Sequence, residues 1–67
     1  MEPLNYQVGD EIEYEDLGGS LRIARVVAKS KDIKNGHPGF DCVGNQGQEW
    51  WGYDAQIVRV VRRAQIN

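Results

Sequence analysis

The chain has 67 residues, 40% apolar and 27% charged, with a net charge of −2; a single domain of this length buries only about 60% of the surface its unfolded form exposes. Cys42 is the only cysteine, which excludes an internal disulfide, and together with the single histidine, His37, it falls short of the four ligands of a structural zinc site. No apolar run approaches the ~20 residues of a membrane-spanning helix and no basic-then-apolar leader opens the chain, so it reads as a cytosolic (cytoplasmic) protein with its thiol kept reduced.

Charge is unevenly placed. Residues 1–20 carry six acids and no lysine or arginine, whereas residues 21–67 carry all eight basic side chains against four acids. In a small β-domain the two parts interleave, and pairing across strands is the expected account of the asymmetry; the alternative is a bipolar surface that steers a charged partner.

Met1 to Gln7 read as a short tail, with Leu4 and Tyr6 able to pack back onto the domain. Val8-Gly9-Asp10 is a turn into a first strand, in which Ile12 and Tyr14 share one face and Glu11, Glu13 and Glu15 the other. Asp16 to Ser20, with Gly18 and Gly19, is a turn. Leu21 to Lys31 is a long strand rich in β-branched residues, and its alternation slips at Ala24-Arg25, which predicts a bulge or bend there.

Asp32 to Gly39 holds two turn signatures, Asn35-Gly36 and Pro38-Gly39, and reads as one loop with His37 exposed in it. Phe40 to Val43 forms a short strand, Gly44 to Gly47 a hairpin turn, and Gln48 to Tyr53 the returning strand. Asp54 to Gln56 is one 3-10 turn with Asp54 as its cap. Ile57 to Val61 closes the order, with Ile57, Arg59 and Val61 on one face and Val58 and Val60 on the other, before a tail from Arg62 to Asn67.

This layout resembles the SH3-like small barrel of Tudor, KOW and similar domains. The resemblance rests on Val8-Gly9-Asp10-Glu11-Ile12, on Ala24-Arg25-Val26-Val27, and on Tyr53-Asp54-Ala55-Gln56-Ile57-Val58-Arg59-Val60, the last matching a 3-10 turn before a final strand. It implies an all-β, five-stranded SH3-like small barrel forming a single domain, residues 1–67, with its body at about 7–62. Asp32-Ile33-Lys34-Asn35-Gly36 and Trp51-Gly52-Tyr53-Asp54 are also similar to stretches in uncharacterised small proteins of actinobacteria and their phages, a resemblance that implies no activity.

Catalytic chemistry has little to work with. His37 and Cys42 each lack an identifiable base or orienting partner, the glutamates of the first strand read as a solvated face, and no phosphate-binding loop is present. Gly9-Asp10 and Gln56-Ile57 resemble short motifs of the type II dihydrofolate reductases, oligomeric SH3-like barrels. Here, however, Val58 stands where that family has tyrosine, and Glu11, Glu13, Glu15 and Asp16 replace the lysines that would hold anionic ligands. The chain is therefore read as non-enzymatic, with neither cofactor nor metal.

Adjacent Trp50 and Trp51 carry the main functional signal, because on a strand only one of two successive side chains can face the core. Placing Trp51 and Tyr53 inward leaves Trp50 and Gly52 facing out, so Trp50→Ala is expected to spare folding and Trp51→Ala to abolish it. The expected activity is binding of a protein or peptide partner, or of a second copy, through an aromatic patch drawn from Trp50, Trp51, Tyr53, Tyr14 and Phe40, with Glu49 and Asp54 suiting a basic ligand. The alternative is a KOW- or Tudor-like nucleic-acid or ribosome contact, in which the aromatics stack bases and Arg22, Arg25, Lys29, Lys31 and Lys34 meet phosphates.

Overall fold

The computed structural model describes residues 5–64. Five antiparallel strands form one sheet in the order β4-β3-β2-β1-β5, with β1 Glu11–Glu15, β2 Leu21–Lys34, β3 His37–Val43, β4 Glu49–Tyr53 and β5 Ile57–Arg62. A 3-10 turn, Asp54–Gln56, joins β4 directly to β5. These are the two edge strands, so the sheet must curl to let three residues connect them. Gln56 fastens that corner: the Tyr53 amide donates to its Oε1 (2.8 Å), and its Nε2 donates to the Glu15 carbonyl at the end of β1 (2.6 Å).

The first strand follows its alternation. Ile12 and Tyr14 are buried, and Glu11, Glu13 and Glu15 share the opposite face, where Arg59 Nε meets Glu13 at 2.8 Å. The turn after it is organised by Asp16, whose carboxylate accepts from the amides of Gly18 and Ser20, both at 2.9 Å, and from Arg22 Nε at 2.8 Å.

β2 bends later than its sequence suggests. The extra residue lies at Val27, between the pairs Val26–Cys42 and Ala28–Asp41, rather than at Ala24-Arg25. Ala24 and Val26 are 2% and 1% exposed. Both must face the core, which holds the alternation through Val26 and defers the bulge to the next position.

The predicted loop from Asp32 to Gly39 is instead a hairpin of two turn residues. Asn35 and Gly36 have φ of 56° and 77°, the paired left-handed conformation whose twist suits a two-residue hairpin. Asp32 Oδ1 caps it by accepting from the Gly36 amide at 2.7 Å. Pro38-Gly39 therefore belongs to β3. Proline is tolerated there because pairing with β2 is irregular between Ser30 and Lys34, and pairing with β4 begins only at Gly39.

β5 also departs from simple alternation. The register Tyr14–Ile57, Glu13–Arg59, Ile12–Val60, Glu11–Arg62 leaves Val58 and Val61 as extra residues. Ile57 and Val60 thereby both face the core, while Val58 and Val61 are exposed, which corrects the predicted split of this strand.

The core comprises Tyr6, Ile12, Tyr14, Ala24, Val26, Phe40, Cys42 and Ile57, with Trp50 and Val60 packed against it. Phe40 sits at its centre, with Tyr6 and Tyr14 edge-on at 5.9 and 5.2 Å between ring centroids. Such T-shaped pairs add to simple area burial. The predicted packing of Tyr6 onto the domain is realised; Leu4 lies outside the described residues.

Asp10 joins the segment before β1 to the segment after β5. It is 2% exposed and accepts from the amides of Gln7 (2.9 Å) and Ala64 (2.7 Å) and from Arg63 Nη1 (3.3 Å). Burial alone would raise its pKa; the Ala64 and Gln7 amides and the Arg63 charge outweigh burial and hold it below the usual carboxylate value. A lowered folded-state pKa means that the stabilisation is present above the ordinary carboxylate range and lost as pH falls through the lowered value. Asp10→Asn is accordingly expected to cost about 1–3 kcal/mol at neutral pH. Urea midpoints of the two proteins should converge in acid, and a gap that persists at low pH would refute this role.

Candidate functional site

The two tryptophans take the opposite places to those predicted. β4 pairs with β3 in the register Phe40–Gly52, Asp41–Trp51, Cys42–Trp50. Phe40 and Cys42 are core residues, so Gly52 and Trp50 lie on the core face, and Trp51 and Tyr53 lie on the outer one. The cause is steric. A Cβ at Gly52 would come within 2.9 Å of Phe40 Cζ, so the Phe40 ring occupies the space that a side chain at position 52 would need. Placing the glycine inward and the tyrosine outward puts Trp50 on the core face and Trp51 on the outer one, because side chains alternate along the strand.

Trp50 is half-buried. Its indole lies over Gly44, where a Cβ would meet the ring at 2.6 Å, and the Arg22 guanidinium covers the ring at 4.4 Å. Arg22 is held in turn by Asp16 at 2.8 Å. Trp50 thus closes one side of the core. Tyr14 and Phe40, both expected as possible binding residues, are 2% and 0% exposed and belong to the core. A chain with so few large apolar side chains needs them there.

What remains outside is a compact aromatic patch. Trp51, 39% exposed, meets the half-buried Tyr53 edge-on at 5.3 Å, and His37 meets Tyr53 edge-on at 5.7 Å. Lys34 Nζ stands 5.2 Å from the Trp51 ring centroid. The β2–β3 hairpin supplies Lys34 and His37 as paired residues, and β4 supplies the two aromatics. Beside them Asn35, His37, Pro38, Tyr53, Ala55 and Gln56 line a shallow cleft of about 440 Å³. Among the described residues β4 is an edge strand, paired only with β3, so one side of its backbone has no described strand partner beside the patch.

The acids expected beside the patch divide. Glu49 is exposed at the start of β4, whereas Asp54 accepts a hydrogen bond from the Tyr6 hydroxyl. Asp54 does not cap the 3-10 turn; Tyr53 occupies the cap position. Burial foremost, and then the Asp54 carboxylate, push the Tyr6 phenol well above its ordinary pKa. Lys29 covers the same ring at 4.2 Å and donates to the Tyr6 carbonyl at 2.8 Å.

The five basic residues expected to meet phosphates are dispersed. Arg22 lies on Trp50, Lys29 on Tyr6, and Lys34 on Trp51. Lys29 and Lys31 do share one groove, with Ser30, Pro38 and Asp54, but Arg25 belongs to a separate cleft beside β5. Cys42 is buried, which pushes its thiol pKa up and away from nucleophilic use. Among the described residues no cluster of three or more histidine, cysteine, aspartate or glutamate side chains could hold a metal ion.

Sequence reasoning passed over His37 because it treated Asp32 to Gly39 as a loop. Reading Asn35-Gly36 as a two-residue hairpin turn would have aligned His37 with Lys34 and brought it toward the aromatics of β4. Comparison with protein-family models, with curated proteins and with solved structures gives no match to this chain.

Proposed function

We propose that the protein is a non-enzymatic binding module built as an SH3-like small barrel, with Trp51, Tyr53 and His37 as the surface that meets a protein or peptide partner. The strand order, the 3-10 turn between the edge strands and the Gln56 bridge from β4 to β1 support the barrel reading. The observation that carries the function is Trp51 itself, a large aromatic on the outer face of an edge strand, with its ring partners alongside and no place in the core. Tryptophan and tyrosine are the side chains that most often dominate binding energy when a partner covers them.

The cations already seated on both indoles refine the ligand. With Lys34 over Trp51 and Arg22 over Trp50, a methylated cation would compete with resident charges, and Asp54 is engaged by Tyr6. An extended apolar segment, laid along the free edge of β4 and against the cleft beside Tyr53, fits this arrangement better. The cytosol is the proposed compartment, on the strength of the single buried thiol.

Affinity capture from lysate with wild-type and Trp51→Ala protein, with and without nuclease, tests the reading. A partner retained by wild type in both conditions and lost from Trp51→Ala is the expected result. Capture that disappears with nuclease, or that is indifferent to Trp51→Ala, would refute it.

A further inference from the structure

A second cleft, of about 430 Å³, lies at the opposite end of β3 from His37 and is lined by Gly9, Glu11, Arg25, Val43, Gly44, Asn45 and the segment Arg62 to Ala64. We propose that it is an oxyanion site that takes a carboxylate of a peptide or protein partner, held between Arg25 and Arg62. This site is separate from the aromatic patch and does not depend on it.

The arginines single the cleft out. The chain has five, and among the described residues three are ion-paired: Arg22 with Asp16, Arg59 with Glu13, and Arg63 with Asp10. Arg25 and Arg62 have no described carboxylate within ion-pair distance, and both line this cleft. Register explains their convergence. Glu11 on β1 stands opposite Arg25 on β2 and opposite Arg62 on β5, so the two arginines flank a single strand, about 10 Å apart at Cα. Long side chains from those positions can close on one carboxylate, and the planar guanidinium donates two parallel hydrogen bonds to such a group.

Charge selects a single carboxylate over a polyanion. Arg25, Arg62 and Arg63 against Asp10 and Glu11 leave one net positive charge at the cleft, which one carboxylate neutralises. Beyond the Glu13–Arg59 pair, Glu15 continues the outer face of β1 away from the cleft, so a nucleic-acid backbone would meet a negative charge and no free cation along that strand. Arg63 contributes by position, since its donation to the Asn5 carbonyl (2.6 Å) and to Asp10 sets one wall.

The test is an amide chemical-shift titration of the isotope-labelled protein with four probes. They are an end-blocked peptide of alternating glycine and aspartate, its asparagine counterpart, a glycine-serine peptide with a free C-terminal carboxylate, and a short oligothymidylate. Either carboxylate peptide, but not the asparagine peptide, should shift Arg25, Gly44, Asn45 and Arg62, and the comparison separates side-chain from chain-terminal carboxylates. Arg25→Gln and Arg62→Gln, at exposed positions, should each weaken binding about tenfold without lowering Tm. Glu11→Gln should tighten it by about threefold or more, because a like negative charge lining the cleft is removed. Trp51→Ala should leave all of this unchanged. Equal response to the asparagine peptide, indifference to both arginine variants, or tighter binding of the oligothymidylate would overturn the proposal.

Discussion

Trp50→Ala is expected to lose about 2–4 kcal/mol of stability, because the indole is half-buried over Gly44, under Arg22 and against the core. A domain of this size has only ~3–5 kcal/mol in total, so the substitution should remove most of its stability. Trp51→Ala should cost about 1 kcal/mol, since it removes an edge-on contact with Tyr53 and a lysine cover at an outward position. Urea denaturation followed by far-UV circular dichroism compares the two directly. Equal losses, or a larger loss at Trp51, would mean that β4 presents the other face to the core, and the candidate site would move with it.

Gly39→Ala should be as damaging as removing a core side chain. A Cβ at this position would overlap the Gly52 carbonyl oxygen and the Ile33 side chain. The first of these is backbone in the adjacent strand and cannot move aside without parting β3 from β4. We expect a loss of about 3 kcal/mol or more, at the upper end of the cost of overpacking. The effect is steric and not conformational, because Gly39 is not among the glycines with positive φ. Gly18→Ala provides the contrast, its nearest neighbour being Asp16 Oδ1 at 3.4 Å, and it should change the urea midpoint little. A Gly39→Ala protein as stable as Gly18→Ala would show that β3 and β4 are not held this closely.

Together the two predictions locate what positions the candidate site. Gly39 and Gly52 let β3 and β4 approach each other and the Phe40 ring, and that approach places Trp50 inward and Trp51 outward. The aromatic patch is therefore a consequence of where two glycines face, and its outward ring is the one whose removal the fold should best survive.

Local pattern in the sequence determined much of the architecture. Ile12 and Tyr14 alternate with glutamates, Gly44 to Gly47 form a turn, and Asp54 to Gln56 form the 3-10 turn, each as expected from residues within a few positions of one another. These features depend on backbone preference and on period-two patterning, which are readable one segment at a time. The bulges at Val27 and Val58, the entry of Pro38-Gly39 into β3 and the faces of the two tryptophans were decided by the tertiary structure alone. In each case local preference was balanced: Val26 and Val27 are equally suited to a core, and so are Trp50 and Trp51. Cross-strand partners broke the tie. Phe40 filled the space opposite Gly52, Ala24 and Val26 both claimed the interior, and Tyr14 drew Ile57 inward, so that a residue's face followed from a neighbour distant in sequence.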